Sequence, residues 1–467
     1  MADPATSPVC QLKEIAMGIY TSLVANVLFP IQEKLKRHDT VAVRRAMDES
    51  QWWPAEKLEQ YRLERLRSLL TKAGQHVPYY RDYFKKLDFK PQEISSLADL
   101  QKLPFLTKAV IRAEGDRMKS DIAQGLARFN TGGSSGEPLI FFISNERISH
   151  DVAAKWRATR WWNVDIGDPE IVVWGSPIEL STQDRMRQIR DRLMRTELLS
   201  AFEMSESRLD DFIAMIRTKK PAMLFGYPSS LSLIARHAEK RGIAMSDLGI
   251  RVAFVTSERL YDHQRNDISR IFSCPVANGY GGRDAGFIAH ECMQGGMHIT
   301  AEDIIIEIVD QDGFQQPYGS AGEVVVTHLA TGDFPFIRYR TGDVAVISDK
   351  RCPCGRNLPL LEEIQGRTTD FVVAADGTIV HGLAVIYPIR DISGIAAFKV
   401  IQHTKEQMTV QIVPGAVCGS EVEATITAGI KARLGEMVNV TVERVADIPR
   451  ENSGKFRYIV SHVQINE

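Results

Sequence analysis

A glycine-rich loop near residue 130 is the first part of the chain whose residue types could do chemistry. It holds three glycines among three hydroxyl residues. Glycine permits positive φ, so consecutive backbone N–H groups can point at one anion, and the hydroxyls add further donors. The pattern predicts phosphate binding, while a flexible linker of the same composition stays open as the alternative. The candidate residues are Thr131, Gly132, Gly133, Ser134, Ser135 and Gly136.

Cysteine and histidine residues form a second group with ligand chemistry. Cys352 and Cys354 flank one proline, Cys292 lies 60 residues before Cys352, and His298 follows Cys292 after five residues. Three thiolates and one imidazole make a closed Cys3His set, the kind that structural zinc prefers. The alternative is a group of reduced thiols beside a Gly/Pro turn. We favour zinc on ligand chemistry, and we expect it to be structural because four protein ligands leave no open position for a substrate.

The elements that would position these groups follow an α/β pattern. The first 120 residues are mainly helical. Between residues 150 and 345, short β-type runs alternate with helical patterns, which predicts mostly parallel sheets covered by helices. After about residue 367, strand-like runs and one helix predict a small α+β unit. We therefore predict a large N-terminal domain over 1–366 and a small C-terminal domain over 367–467.

Composition excludes several classes of protein. The 467 residues include 57 Lys plus Arg against 59 Asp plus Glu, a formal net charge of -2. This balance gives no basic field for nucleic acid, so we expect no nucleic-acid partner. Six cysteines are too few for a disulfide scaffold. Collagen, coiled-coil and disordered classes are excluded as well.

One apolar, uncharged stretch, Ile15 to Ile31, raises the question of a membrane segment. It contains glycine, proline and polar residues, and it falls at the short limit for a spanning helix. The basic start and small-residue cleavage site of a secretory signal are missing. We predict a buried or partner-docking helix with no transmembrane segment, leave peripheral membrane docking open, and expect a cytoplasmic protein.

Five segments together resemble a known enzyme family. Any one of them is a weak signal, but all five occur in the family's order. They are Thr131–Gly136, Tyr280–Asp284, Phe336–Asp343, Gly366–Arg367 and Pro449–Lys455. The set resembles the adenylate-forming enzyme superfamily, and within it the phenylacetate–CoA ligase branch and its capsule-biosynthesis-type relatives. The resemblance extends from about Tyr79 to the C-terminus.

The resemblance implies a two-step reaction. A small-molecule carboxylic acid and ATP with Mg²⁺ would bind between the large domain and a mobile C-terminal lid, forming an acyl-AMP and pyrophosphate. The acyl group would then pass to a thiol, either CoA or the phosphopantetheine of a carrier protein. The oligomeric state is left open, with a dimer among the options.

The nucleotide-binding residues are carried over motif by motif. The glycine-rich loop would hold the ATP phosphates, and the segment Asn278, Gly279, Tyr280 and Gly281 would lie along the adenine and the acyl pocket. Asp343 would accept hydrogen bonds from the ribose hydroxyls, since a carboxylate offers two acceptor oxygens.

Two cations are the implied catalytic residues. Arg367 would sit at the domain joint and contact ribose or phosphate. Lys455 on the lid would approach the reacting carboxylate and the α-phosphate, because a flexible ammonium on a moving domain can offset the repulsion of two anions.

Further candidates lie in strand-to-helix turns. Tyr227 and Pro228 match the segment that lines the acyl pocket, although an ordinary turn with Ser229 as N-cap fits equally well. Glu258 should end another strand at the same face and is a candidate for the nucleotide site, with an exposed loop carboxylate as the alternative.

The chain departs from the family pattern at its second motif. Arg283 stands where the family usually has Ser or Thr, and Asp284 stands where a Glu helps to hold magnesium. Asp284 keeps the hard oxygen ligand that Mg²⁺ needs. Arg283 places a cation near the α-phosphate or the acyl pocket, so we include it among the substrate-binding candidates.

Three functions are therefore compared. The first is an ATP-dependent ligase that adenylates an acid and transfers it to a thiol. The second uses the same scaffold to transfer an adenylyl or acyl group to a hydroxyl or amine, in surface-polysaccharide or cofactor metabolism. The third is a nonenzymatic nucleotide- or partner-binding module, which the presence of Asp343, Arg367 and Lys455 disfavours.

Overall fold

The structure is a computed structural model. It describes residues 18–131, 139–174, 185–201, 203–258, 260–310, 312–364, 371–390, 392–415, 419, 421–448 and 458–463. The predicted site residues Gly132, Gly133, Ser134, Ser135, Gly136, Arg367 and Lys455 lie outside these ranges.

The described chain begins with five helices. The first, α1, covers residues 18–35 and contains a π-helical turn at Val24–Leu28 before its α-helical end at Phe29–Leu35. Its successors are α2 (Thr40–Ser50), α3 (Ala55–His76), α4 (Pro78–Lys86) and α5 (Lys108–Glu114), with 3-10 turns at Pro91–Glu93 and Leu97–Lys102. In α3, leucines at helical spacing form one buried face, which anchors this region on the core.

An eleven-stranded sheet forms the centre of the molecule, in the order β11-β12-β13-β14-β10-β9-β8-β7-β6-β3-β4. Its strands are β3 (Glu170–Trp174), β4 (Thr196–Ser200), β6 (Met223–Gly226), β7 (Val252–Thr256), β8 (Val276–Gly282), β9 (Gly286–Glu291), β10 (Met297–Ile299), β11 (Ile304–Val309), β12 (Ala321–His328), β13 (Tyr339–Ser348) and β14 (Leu360–Ile364). The run β4-β3-β6-β7-β8 is parallel, and the remaining pairs are antiparallel.

The parallel half of the sheet is buried on both faces. Its helices are α6 (Asn145–Arg160), α7 (Arg185–Met194), α8 (Glu206–Lys219), α9 (Pro228–Lys240) and α10 (Asp262–Phe272). Leu224 and Val255 belong to one core cluster, while the alternate residues Phe225 and Phe254 belong to the other. Burial on both faces explains why these strands are continuous apolar runs. The predicted α/β fold class agrees with this architecture. The prediction of mostly parallel sheets is wrong, because six of the ten described strand pairs in this sheet are antiparallel and four are parallel.

The C-terminal part forms two smaller sheets. The first has the order β15-β16-β5, where β15 is Phe371–Val373, β16 is Ile379–His381 and β5 is the short strand Glu203–Met204. The second has the order β19-β18-β17-β20, with β17 (Ile395–Gln402), β18 (Gln407–Pro414), β19 (Asn439–Arg444) and β20 (Ile459–Ser461). The helices α11 (Gly382–Arg390) and α12 (Val422–Leu434) complete this α+β unit.

A separate two-stranded hairpin carries the glycine-rich loop. The strands β1 (Ala127–Asn130) and β2 (Ile140–Ile143) pair antiparallel, with Asn130 opposite Ile140.

Within the described ranges, no helix has the length and apolar character needed to cross a bilayer.

Candidate active site

The carboxyl ends of the parallel strands bring several predicted residues to one edge of the sheet. Tyr227 follows β6, Glu258 lies just beyond β7, and Arg283 and Asp284 follow β8. Between β7 and Glu258, Ser257 has a φ of 73°, a strained conformation for a residue with a side chain. In parallel α/β sheets, ligands bind at this edge. The structure thus brings together residues from three separate sequence motifs.

A hydrogen bond joins two of the motifs that are predicted to bind the nucleotide. The Tyr280 hydroxyl on β8 donates to Oδ2 of Asp343 on β13, at 3.1 Å. In the sheet order, three strands separate β8 from β13. A flat sheet with strands about 4.8 Å apart would hold them roughly 19 Å from each other. The sheet is therefore strongly curved, and its concave side brings the two motifs together.

Local bonds orient the Asp343 carboxylate. The Thr341 hydroxyl donates to the carbonyl of Val324 at 2.9 Å and accepts from the backbone N–H of Asp343 at 3.1 Å. Gly342 between them has a φ of 79°, a left-handed turn that glycine permits without strain. The segment is thus a rigid turn that holds one carboxylate toward β8.

Asp284 is held by three neighbours. The Tyr339 hydroxyl donates to Oδ2 of Asp284 at 2.6 Å, and the backbone N–H of Ala285 donates to Oδ1 at 3.1 Å. The guanidinium of Arg147, which is fully buried, donates to the carbonyl oxygens of Asp284 and Arg283 at 3.3 and 3.5 Å. Mg²⁺ commonly takes one or two carboxylates together with phosphate and water oxygens. The chemistry and fixed position of Asp284 fit that use.

Arg147 is itself part of a buried polar network. It pairs with Asp151 at 2.8 Å, and His328 Nε2 lies 3.5 Å from the same carboxylate. Burial alone would raise the pKa of Asp151, but the neighbouring Arg147 guanidinium and His328 lower it below its usual range. Burial lowers the pKa of His328 to about 4, with Arg147 acting in the same direction. The network therefore keeps Arg147 in place behind the Asp284 turn.

Close packing requires two of the predicted glycines. A Cβ on Gly281 would lie 2.3 Å from the carbonyl oxygen of Gly286, and a Cβ on Gly279 would lie 2.9 Å from the ring of Phe254. The backbone N–H of Asn278 donates to the Glu291 carboxylate at 2.8 Å. These three residues thus serve the packing of β8, whatever else they contact.

An aromatic wall stands at the end of β3 and β6. The rings of Tyr227 and Trp174 stack at 4.5 Å with an interplanar angle of 21°, and Trp174 also stacks on Phe225. Tyr227, not Ser229, is the N-cap residue, and Pro228 begins α9. The Ser229 hydroxyl instead donates to Glu258 at 2.5 Å, linking two of the strand ends.

Thr131 closes the base of the glycine-rich loop. Its backbone N–H donates to the carbonyl of Leu139 at 3.1 Å, and its hydroxyl accepts from the backbone N–H of Leu139 at 3.0 Å. The two bonds hold the ends of the loop side by side at the tip of the β1–β2 hairpin.

The four predicted zinc ligands converge in space. The ligand atoms of Cys292, His298, Cys352 and Cys354 all lie within 4.8 Å of one another. The sulfurs of Cys292 and Cys352 are 3.6 Å apart, and Nε2 of His298 is 3.2 Å from the Cys354 sulfur. Bond lengths of about 2.0–2.3 Å place the ligand atoms around a tetrahedral zinc about 3.5–3.8 Å apart. The observed spacing fits such an ion.

The surroundings of this cluster also suit a metal. His298 Nδ1 lies 3.4 Å from the carbonyl oxygen of Leu358, so donation there leaves Nε2 as the ligand atom. Burial raises the pKa of the Cys292 thiol to about 12, and a bound cation would favour the thiolate. A Cβ on Gly296 would lie 2.5 Å from the Cys352 sulfur. Only glycine leaves room for the sulfur at this turn.

Three supporting residues were not among the sequence-based candidates. Tyr339 lies inside the motif Phe336–Asp343, so its hydroxyl could have been proposed from the sequence as a hydrogen-bond donor in the site. Trp174 is a large aromatic residue at the end of a predicted strand. Arg147 gave no signal, because a single arginine in a helix has many roles and its target lies 136 residues away in sequence.

Comparison with known proteins supports the resemblance that the motifs indicated. Residues 372–462 match the model of the CapK C-terminal domain. The chain is 24% identical to Protein CapK of Staphylococcus aureus over 412 residues, which cover 87% of this chain and 89% of that protein. It is 25% identical to phenylacetate-coenzyme A ligase of Thermus thermophilus over 333 residues, 68% of this chain and 72% of that enzyme.

A solved structure shares the fold. It is 2-hydroxyisobutyryl-CoA ligase, in complex with 2-HIB-AMP and CoA in the thioesterification state, with a TM-score of 0.64 and 20% identity. The match covers 89% of this chain and 91% of the ligase. The resemblance found in the motifs is therefore confirmed: this chain is similar in sequence to CapK and to the phenylacetate-coenzyme A ligases, and it shares the fold of 2-hydroxyisobutyryl-CoA ligase.

Proposed function

We propose that this chain is an ATP-dependent ligase that adenylates a carboxylic acid and transfers the acyl group to a thiol. The observation that carries the proposal is the Tyr280–Asp343 hydrogen bond. It brings the predicted adenine and ribose motifs together at the ligand-binding edge of the sheet. The homologous phenylacetate-coenzyme A ligases and the shared fold support the same activity.

Each of the described site residues has its own proposed role in binding ATP. Asp343 accepts hydrogen bonds from the ribose hydroxyls, and Tyr280 holds it in place while its ring lies along the adenine. Asp284 would hold Mg²⁺, and the ion would offset charge on the ATP phosphates. Thr131 keeps the glycine-rich loop closed at its base so that the loop can follow the phosphates.

The chemical step needs cations that reach the reacting groups after ATP and the acid have bound. Attack of a carboxylate on the α-phosphate brings two anions together, and positive charge must be present as they meet. Lys455 supplies that charge from the C-terminal lid, and Arg367 at the domain joint contacts ribose or phosphate. When the lid moves, the lysine withdraws and the thiol gains access to the acyl-AMP.

The aromatic wall supports a planar acid as the substrate. Tyr227 is buried and its ring stacks on Trp174 at the end of β3 and β6, so an aryl acid would meet the edges of these rings, an arrangement that aromatic groups favour along with offset stacking. CoA is the acceptor most strongly supported, because the named homologous ligases are CoA enzymes. ATP and CoA use is consistent with a cytoplasmic location.

The first test is an ATP–pyrophosphate exchange screen without any thiol. The panel contains aryl, aliphatic and amino acids, and ATP binding is measured separately by calorimetry. Exchange with aryl acids supports both the adenylation step and the aromatic wall. If no acid in the panel supports exchange while ATP still binds, the proposed adenylation of a carboxylate is contradicted.

The acceptor is tested in a second step. Arg283 places a half-buried cation beside Asp284, and the C-terminal domain matches that of CapK. These two observations keep a hydroxyl or amine acceptor as the second candidate. Mass spectrometry of products, after adding CoA, glycerol or glucosamine to the acyl-AMP mixture, separates the cases: a thioester supports the ligase, and an ester or amide supports the alternative.

We also propose a structural zinc at Cys292, His298, Cys352 and Cys354. The support is the 4.8 Å grouping of their ligand atoms and the carbonyl that orients His298. Arg356, next to the cluster, stacks between Trp52 and Trp161 at 5.0 and 4.6 Å. The ion would thus fix a junction between the helical region and the sheet.

A further inference from the structure

Helix α1 has one face fixed against the protein. Val24, Ala25 and Phe29 are buried, and the Phe29 ring packs edge-on against Trp156 at 5.1 Å. Gly167 approaches so closely that a Cβ there would lie 2.6 Å from the Val24 side chain. The Thr21 hydroxyl donates to Asp168 at 2.9 Å. These contacts determine which side of α1 faces outward.

The outward face of α1 is an apolar stripe. Every fourth residue from position 19 is a large hydrophobic, and each is 43–80% exposed: Ile19, Leu23, Val27, Ile31 and Leu35. In an ordinary α-helix a four-residue repeat drifts around the axis. The π-helical turn at Val24–Leu28 is wider, and it reduces this drift. The five side chains therefore stay near one side of the helix. At 1.5 Å per residue, the stripe that they form is about 24 Å long.

Helix α7 extends this apolar surface beside the start of α1. Ile189 and Leu193 are 60% and 46% exposed. The Tyr20 hydroxyl donates to the carbonyl of Leu193 at 2.9 Å, and the Arg195 guanidinium lies 4.0 Å from the Tyr20 ring. We call the seven exposed side chains of α1 and α7 the apolar stripe surface.

Positive charge lies at both ends of the apolar stripe surface. Lys34, Lys36 and Arg37 are exposed at the end of α1, and Arg192 is exposed beside its start. Glu33 is the only acidic residue between positions 18 and 37. It is buried, and its carboxylate accepts from Thr40, lies 3.1 Å from His38 and pairs with Lys36 at 3.7 Å. Lys34 and Arg37 thus supply most of the positive charge at this end. The outer surface thus combines apolar side chains with cations.

We propose that the apolar stripe surface docks on an anionic lipid bilayer, with α1 lying in the plane of the interface. An amphipathic helix with large apolar residues on one side and Lys or Arg beside them is the pattern of interfacial membrane binding. The apolar side chains enter the acyl boundary, and the cations contact lipid phosphates. The site is separate from the proposed active site and does not depend on its function.

Charge favours a bilayer over a second copy of the chain. Because cations lie at both ends of the stripe, pairing two stripes in either orientation would bring cations opposite cations. An anionic surface instead neutralises both ends.

The test uses sedimentation with vesicles of phosphatidylcholine, with or without about 30% phosphatidylglycerol. The variant is Leu23→Gln/Ile31→Gln, and the matched control is Leu87→Gln/Ile122→Gln, which changes the same residue types at exposed positions elsewhere. We expect the wild type and the control to bind the anionic vesicles. The stripe variant should bind at least tenfold more weakly, with its circular dichroism and Tm unchanged.

A second variant tests the charge separately. Lys34→Gln/Lys36→Gln should weaken binding to anionic vesicles and reduce its dependence on salt. The proposal is overturned if wild type and stripe variant sediment equally. It is also overturned if light scattering shows that the wild type is a dimer and the stripe variant is a monomer. A third contradicting result is a stripe variant of lower stability together with a wild type that binds no vesicles.

Discussion

The bond between Tyr280 and Asp343 shows how single residues connect distant motifs. Either residue alone has an ordinary explanation, since tyrosines often end strands and aspartates often occupy turns. Their 3.1 Å contact joins two segments 63 residues apart in sequence. The Tyr280 hydroxyl holds the Asp343 carboxylate in one orientation before any ligand binds. Such preorganisation lowers the entropy cost of binding.

Removing either member should weaken ATP use. Asp343→Asn loses the charged acceptor for ribose, and we expect KM for ATP in pyrophosphate exchange to rise by about tenfold or more. Tyr280→Phe loses one bond to a charged group, and a rise of up to about tenfold is expected. Tyr318→Phe, which changes an exposed tyrosine, is the control. Wild-type KM values in both site variants would contradict the assignment.

Asp284 makes a separate prediction about magnesium. Asp284→Asn keeps the shape of the side chain but removes its charge, so the Mg²⁺ concentration for half-maximal exchange should rise about tenfold. Titration of Mg²⁺ at fixed ATP measures this value. The control Asp116→Asn changes an exposed carboxylate and should titrate as the wild type does. An unchanged titration in Asp284→Asn would remove the residue from the magnesium site.

The sequence identified the candidate residues, but it did not identify the side chains that hold them. The motifs named Tyr280, Asp343 and Asp284, because each lies in a recognisable local pattern. Arg147 and Trp174 act from other elements, and nothing in local spacing indicates which carbonyl or ring they will meet. The roles of all these residues stay predictions, and Gly132 to Gly136, Arg367 and Lys455 also lie outside the described ranges.

At the level of elements, periodicity predicted the strands and helices of the parallel half well. Buried strands such as β6 and β7 are continuous apolar runs, and helices with one apolar face separate them. The sequence did not indicate how the sheet curves. Curvature comes from accumulated strand twist and from register shifts such as those in β12 and β13, and it is what brings β13 back to β8.

The turns that carry the cysteines are elements whose stability should depend on metal. Cys354→Ser removes one of four ligands, so zinc content should fall from about one equivalent per chain. The Tm should fall by about 5 °C or more, because binding free energy of a structural zinc contributes directly to folding. Elemental analysis and calorimetry measure the two effects. Cys274→Ser, at a buried cysteine outside the cluster, should retain full zinc content. Wild-type protein that is stable without metal would contradict the proposal.

For the whole molecule, one described link between the C-terminal unit and the preceding part of the chain is a short strand pairing. The short strand β5 pairs with β16 through the residue pairs Ile379–Met204 and Val380–Glu203. Two such pairs make a short pairing. That arrangement is compatible with a C-terminal lid that brings Lys455 to the site for one step and withdraws it for the next.

The central claim is the adenylation of a carboxylic acid, and the most direct measurement is ATP–pyrophosphate exchange by the wild type, Lys455→Ala and the control Lys405→Ala. With an accepted acid, the wild type and the control should exchange at similar rates. Lys455→Ala should lose at least about a hundredfold in rate, since the missing cation acts only as charge develops, while its Kd for ATP stays close to that of the wild type. Equal exchange in Lys455→Ala and the wild type would contradict the account.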